Sequence, residues 1–272
     1  MAVLSIPETL TVQADAAIHK AGMLRTPGRF VITGMLAGVY MGIGVVLMVS
    51  TAGPLLAAGD GLAKLVSGLV FGVALTLTVF AGADLATSGM MTLPIGTLMG
   101  AISHTRGVAT LVATVALNLL GSLVFAGMIA LSGVLHSNPA AEEMLHGMLE
   151  SKAHETPVEL LMRGILCNLL VCLAIWMSSR VVSEGAKIAL IFASIFAFIS
   201  SGFEHVIANM TTYGIGLFTG ADFATLELFG RNILWVGLGN LIGGAIIGIA
   251  YWVAGGSPKA AVAAPEGVAA SQ

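Results

Sequence analysis

Residues 200–210 read Ser200-Ser201-Gly202-Phe203-Glu204-His205-Val206-Ile207-Ala208-Asn209-Met210 and set an acid, an imidazole and an amide inside otherwise unbroken apolar sequence. No Asp, Glu, Lys or Arg occurs in 188–203 or in 205–221. An ionisable group at membrane depth costs about 3 kcal/mol or more unless it faces protein or a water-filled path, so such a group marks function by default. On a continuous helix the adjacent Glu204 and His205 would point about 100° apart. Gly202, just before them, predicts instead that the helix is interrupted here. Broken membrane helices persist only where the freed backbone is buried in protein or lines a cavity. The stretch therefore predicts a pore or binding site with His205 at its centre.

Composition sets the solvent. The chain has 272 residues, of which 57% are hydrophobic and 9% charged, with a mean hydropathy of +0.98. A soluble domain carries about 25% charged residues, so this is an integral membrane protein. Its 35 glycines suit close helix packing and backbone breaks. Net charge is −3 with no basic cluster, which argues against nucleic acid as a partner. Cys167 and Cys172 lie five apart on different helix faces and read as packing residues. The first 29 residues contain Glu8 and Asp15 and no long apolar run, so no cleavable signal is read and the first membrane helix is expected to direct insertion.

Working outward, six membrane segments emerge. Uncharged runs predict spans near 30–51, 107–135, 158–179 and 232–253. The second segment, 65–103, is crossed by Gly82-Ala83-Asp84-Leu85-Ala86-Thr87-Ser88-Gly89 and reads as broken, like the fifth. Leu10, Ala17, Ala21 and Leu24 fall near one face of residues 5–24, which predicts a surface helix within a cytoplasmic N-terminal region, 1–29. Residues 136–157 read as a long polar connection, and 255–272, rich in Ala, Pro and Gly, as a disordered tail. Lys20, Arg25, Arg29, Arg106, Arg180, Lys187 and Lys259 fall on one side, against Lys64, Lys152, Arg163 and Arg231 on the other. That seven-to-four bias predicts both termini in the cytoplasm. Arg163, near the end of its span, reads as a snorkelling side chain.

The halves echo one another. Gly34-Met35-Leu36-Ala37-Gly38 resembles Gly164-Ile165-Leu166-Cys167-Asn168, Gly82-Ala83-Asp84 resembles Gly202-Phe203-Glu204, and Asn118-Leu119-Leu120-Gly121 resembles Asn240-Leu241-Ile242-Gly243. The matches fall in order on segments 1/4, 2/5 and 3/6. Three spans per half force the second half to enter from the opposite face. The fold class is therefore all-α, with six transmembrane segments forming a channel domain at 30–254, arranged as two inverted three-helix repeats, 30–135 and 158–253. A broken pair in matching positions points to a site at the bilayer midplane.

Thr87 and Ser88 in the matching break could bring hydroxyls to His205, or could bond back to a helix carbonyl. Phe71, Leu75 and Phe198 could form apolar constrictions or plain packing. Asn209-Met210-Thr211 fits a glycosylation sequon but lies at membrane depth and is set aside. Asn138-Pro139-Ala140 matches one copy of the paired aquaporin signature, yet it stands alone in a polar loop. The enzyme alternative is an intramembrane hydrolase with Ser88 as nucleophile and His205 as base. Ala86 stands where a rhomboid-type motif needs glycine, and no H-E-x-x-H pair exists. No catalytic, metal or cofactor site is expected.

Through Gly82–Ser88, Asn168–Met177, Gly202–Met210 and Leu234-Trp235-Val236-Gly237-Leu238-Gly239-Asn240, the chain resembles the formate/nitrite transporter family, nearest its nitrite-channel branch, over about residues 5–254. The resemblance implies a homopentamer in a bacterial inner membrane, with one aquaporin-like pore per protomer for small monovalent anions such as nitrite or formate. Lactate and hydrosulfide are further candidates. It also implies His205 as the central pore histidine, with Thr87 its partner and Asn168 in support. Phe71, Leu75 and Phe198 would form the outer constriction and Leu85 the inner one. Lys152 would sit by the outer vestibule and concentrate anions. Glu204 could bias the state of His205 or anchor backbone groups, and the anchor is the expectation. Ala86 departs from the phenylalanine of the formate branch, which leaves either a wider inner slit or one sealed differently.

Overall fold

The computed structural model describes residues 3–260, in which ten α-helices account for the secondary structure apart from a short 3₁₀ turn, Met23–Arg25. They are α1 (Ile6–Gly22), α2 (Pro27–Ala57), α3 (Ala63–Phe80), α4 (Ala86–Leu98), α5 (His104–Ser132), α6 (Pro139–His154), α7 (Pro157–Arg180), α8 (Glu184–Ser200), α9 (Val206–Thr219) and α10 (Leu226–Ala254). The helices α2, α3, α5, α7 and α10 are each long and apolar enough to cross a membrane. At 13 and 14 residues, α4 and α9 fall short of the ~20 needed. They complete the second and fifth segments that α3 and α8 begin.

Both breaks are built alike. Gly82 and Gly202 take φ values of +82° and +74°, a left-handed turn that glycine enters without steric cost. At each, a backbone N–H closes on the carbonyl five residues earlier: Ala83 on Thr78, and Phe203 on Phe198, both about one turn back. The chain then extends through Leu85 and His205, which are the N-caps of α4 and α9.

One buried asparagine per half locks these breaks. Asn118 of α5 donates to the carbonyls of Gly34 (2.9 Å) and Asp84 (2.8 Å) and accepts from the Ala86 N–H (2.9 Å). Asn240 of α10 donates to the carbonyls of Gly164 (2.8 Å) and Glu204 (2.9 Å) and accepts from the Val206 N–H (2.9 Å). The two sets are the residues that echo one another in sequence, so the inverted repeat is expressed bond for bond. Close approach serves the same end. A Cβ on Gly121 would enter the Met35 carbonyl of α2, and one on Gly243 the Ile165 carbonyl of α7. Gly121→Val should therefore force α2 and α5 apart and cost about 1–3 kcal/mol or more, read as a lowered melting temperature in detergent.

The repeat is longer than three helices. Residues 136–157, read as a long polar connection, hold the helix α6, capped by Asn138. Like α1 it precedes the first span of its half and carries a lysine in its last turn, Lys20 in α1 and Lys152 in α6. Each half is therefore one surface helix plus three spans. In α1, Leu10, Ala17 and Ala21 are buried, as their spacing predicts, while Leu24 is largely exposed. Gln13 ties α1 to the bundle by donating to Ser179 and accepting from Thr92. The expected tail disorder does not reach 255–260. There Trp252 Nε1 donates to the Pro258 carbonyl, Lys259 to that of Leu98, and the Ala260 N–H to that of Met99. The rest of that expectation, 261–272, lies outside the described residues.

Candidate functional site

The breaks bring the starts of α4 and α9 together in the protein interior, where Thr87 and His205 meet. Thr87 Oγ1 lies 3.0 Å from His205 Nε2, and both residues are almost fully buried. The other ring nitrogen, Nδ1, accepts the Ala208 N–H at 3.2 Å and so caps α9. With its Nδ1 lone pair used by that cap, the ring carries its proton on Nε2. Nε2–H then donates to Thr87 Oγ1, which leaves the threonine hydroxyl hydrogen for a further acceptor. Asn168 of α7 holds the contact from behind. Its amide donates to the carbonyls of Thr87 (3.1 Å) and Asn240 (2.7 Å).

Beside the histidine ring lies a cavity of about 10 Å³, bounded by Phe71, Leu75, Leu85 and Phe198 together with Met41, Val171 and Ile195. That space is about one water molecule. Phe71 and Phe198 meet edge to face at 6.1 Å, and Phe198 stacks on His205 at 6.0 Å, so the aromatic constriction and the imidazole are continuous. Leu85, expected at a separate inner slit, borders this same chamber. Ala86 is buried with its N–H held by Asn118.

Three expectations change. Ser88 does not reach His205: its hydroxyl donates to the Leu85 carbonyl at 2.9 Å, so the serine is not paired with the imidazole. Asn209 faces away as well, donating to Glu204 (2.6 Å) and Asn232 (2.8 Å). Glu204, though adjacent to His205, serves a different space because the chain between them is extended rather than helical. Its carboxylate accepts Lys152 Nζ on both oxygens at 2.6 Å, besides Asn209, and no backbone group. The backbone anchoring is done to Glu204 by Asn240, and by the Arg163 carbonyl that takes its N–H.

Glu204 and Lys152 border a second cavity of about 630 Å³, with Lys64, Glu143, Glu155 and Arg163 also on its walls. Arg163 reaches into this cavity and pairs with Glu155, so its head has a protein partner rather than only a water-facing position. Lys152, expected to offer its charge to anions, is buried and bound to Glu204.

The sequence reading missed Lys20. It bonds Asp84 Oδ1 at 2.9 Å, while Thr33 Oγ1 donates to Oδ2 at 3.0 Å. This pair is the repeat mate of Lys152–Glu204. Nothing local joins residues 64 positions apart, and the available signal was the repeat itself: Lys20 precedes Lys152 at nearly the spacing that separates Gly34 from Gly164.

Residues 7–253 match the family described as formate/nitrite transporter. The nitrite transporter NirC of Escherichia coli (strain K12) is 41% identical over 250 residues, covering 91% of this chain and 90% of that protein. A solved structure of an FNT family ion channel superposes with a TM-score of 0.82 at 35% identity, over 91% of this chain and 98% of that one. A pentameric formate channel with formate bound superposes with a TM-score of 0.72 at 27% identity, over 85% and 98%.

Proposed function

The chain belongs to the formate/nitrite transporter family and is a multi-pass membrane protein for anion transport, not an enzyme; we propose that nitrite is its principal substrate and that His205 and Thr87 form the centre of its pore. The observation that carries the pore assignment is the Nε2–Oγ1 contact between two half-helix starts, set against an apolar constriction. Nitrite is preferred because identity to a nitrite transporter is 41%, against 31–32% to formate channels matched over similar lengths. Formate is the second reading. A homopentamer in a bacterial inner membrane, with both termini cytoplasmic, fits the solved pentameric relative and the distribution of Lys and Arg.

A bare anion entering the apolar chamber loses hydration worth far more than thermal energy. The Thr87 hydroxyl, polarised by the Nε2–H bond it accepts, is positioned to donate to that anion. Two helix N-termini add partial positive charge at the same place. A second proton on the imidazole would have to occupy Nδ1, displacing the Ala208 N–H. Proton uptake and reorganisation of the start of α9 are therefore a single event. Phe71, Leu75, Phe198 and Leu85 exclude water around this exchange. Glu204, Asn209 and Lys152 brace one approach to the chamber, and Lys20 with Asp84 the other.

His205→Asn is the informative variant, because asparagine is a strong N-cap and keeps the start of α9. In proteoliposomes the maximal nitrite flux should persist but lose its dependence on pH, since an amide does not titrate. A wild-type pH profile in the variant would remove His205 from the mechanism.

A further inference from the structure

Glu155 is the one carboxylate on the larger cavity whose bonding is half complete. Its Oε1 accepts Arg163 of α7 and Ser151 Oγ of α6, whereas its Oε2 is buried with no hydrogen-bond partner among the described residues. The residue is 93% buried, since 7% of its surface is accessible. Its backbone cannot drift, because Arg231 of α10 donates to the carbonyls of both Ala153 and Glu155. Around the side chain stand Arg163 from α7, Lys152 from α6, Glu204 from the second break, Arg231 from α10 and the Tyr213 hydroxyl from α9. Lys64 and Glu143 border the same cavity. His154, next in the chain, turns its ring to Phe223 instead.

With both acids ionised, Glu204 matches Lys152 and Glu155 matches Arg163. Adding one proton leaves one cation unmatched. Glu204 already has three donor contacts, so the proton goes where an oxygen lacks one. Burial, reinforced by the Glu204 charge, lifts the Glu155 carboxyl above the usual carboxylate range despite Lys152 and Arg163.

We propose that Glu155 takes a proton from the cavity on the Lys152 side, and that this releases Arg163 to collect anions at that mouth of the pore. The device is one-sided. In the other half, the position matching Glu155 by the Lys20–Lys152 spacing is Met23, and the position matching Arg163 by the Gly34–Gly164 spacing is Thr33, whose carbonyl takes the Asp84 N–H as that of Arg163 takes the Glu204 N–H, and whose hydroxyl bonds Asp84. Arg163 is 39% exposed, so its head is available to the cavity once its partner is neutral. The sign follows: as pH falls through the Glu155 titration, the wall gains one positive charge and anion capture from that side strengthens.

This proposal rests on anion conduction, and the test separates the two. Nitrite currents through the full-length protein in planar bilayers are recorded with pH varied on one side at a time, reading the half-saturating nitrite concentration. Lowering the Lys152-side pH from about 8 to about 5 should reduce that concentration about threefold, the local enrichment one added charge gives, with no such response from the other side. Glu155→Gln should hold the low-pH value at every pH, and a wild-type response in that variant overturns the proposal. Should Glu155→Gln fail to fold, Arg163→Gln decides: without the cation that Glu155 releases, the one-sided response must be lost, and a wild-type response in that variant overturns the proposal. Formate run in parallel distinguishes the readings. Formate current with the one-sided response and no nitrite current corrects the substrate but keeps Glu155, while absence of both currents overturns both.

Discussion

Asn240→Leu should prevent recovery of folded protein, and Asn118→Leu should do the same. Each change removes one amide and leaves one buried carbonyl and one buried N–H without partners, Glu204 and Val206 in one half, Asp84 and Ala86 in the other, while the Gly164 and Gly34 carbonyls fall back on their intrahelical bonds alone. A buried unsatisfied polar group costs about 1–3 kcal/mol, so the two together cost about 2–6 kcal/mol, which reaches the lower end of total protein stability. Water cannot repair the loss where both asparagines are fully buried. Asn240→Asp should be intermediate, because it keeps the acceptor for Val206 and loses both donations. Size-exclusion recovery and melting temperature in detergent would rank the three proteins. Equal stability of Asn240→Leu and wild type would show that the breaks are held by helix packing rather than by this amide.

Those asparagines also show why much of the fold was legible. A polar residue inside an apolar span has few places to bond, so its sequence position already indicates a partner with broken backbone. Gly82 and Gly202, with Asp84 and Glu204 two residues on, supplied the backbone, and the matching offsets supplied the pairing. His205 and Thr87 stood out for the same reason and do meet. What stayed hidden depends on direction or distance. Ser88 differs from Thr87 only in where one turn of helix points it. Leu85, expected at the inner constriction, borders the chamber of Phe71, Leu75 and Phe198, and an apolar side chain in an apolar sequence has no contrast to reveal that. The helix α6 is obscured by the charges interleaved in it, although Ala141, Met144, Leu145, Met148 and Leu149 recur at helical spacing behind Asn138-Pro139, a cap followed by a favoured first residue. The Lys20–Asp84 and Lys152–Glu204 pairs bridge 64 and 52 residues, and only the repeat connects them.

Lys152→Met separates two roles that sequence alone would merge. If the ammonium chiefly attracts anions, its loss weakens capture and leaves the fold intact. The geometry opposes that outcome: Lys152 is 7% exposed and sits 2.6 Å from both Glu204 oxygens, so its charge is largely matched before any anion arrives. Removing one partner of a buried pair costs about 3–5 kcal/mol, because the surviving charge stays buried and unpaired. The single variant should therefore melt well below wild type, with Glu204 stranded one residue from His205. Lys152→Met combined with Glu204→Gln should regain most of the lost stability, since a neutral amide can still accept from Asn209 and replacing both members of a buried pair is often close to neutral. Nitrite flux through the double variant then isolates the electrostatic share. Flux near wild type means that the pair fixes the second break in place, and that Lys152 is not the cation that collects anions here. Flux reduced tenfold in a protein of restored stability would return Lys152 to the role of anion collector.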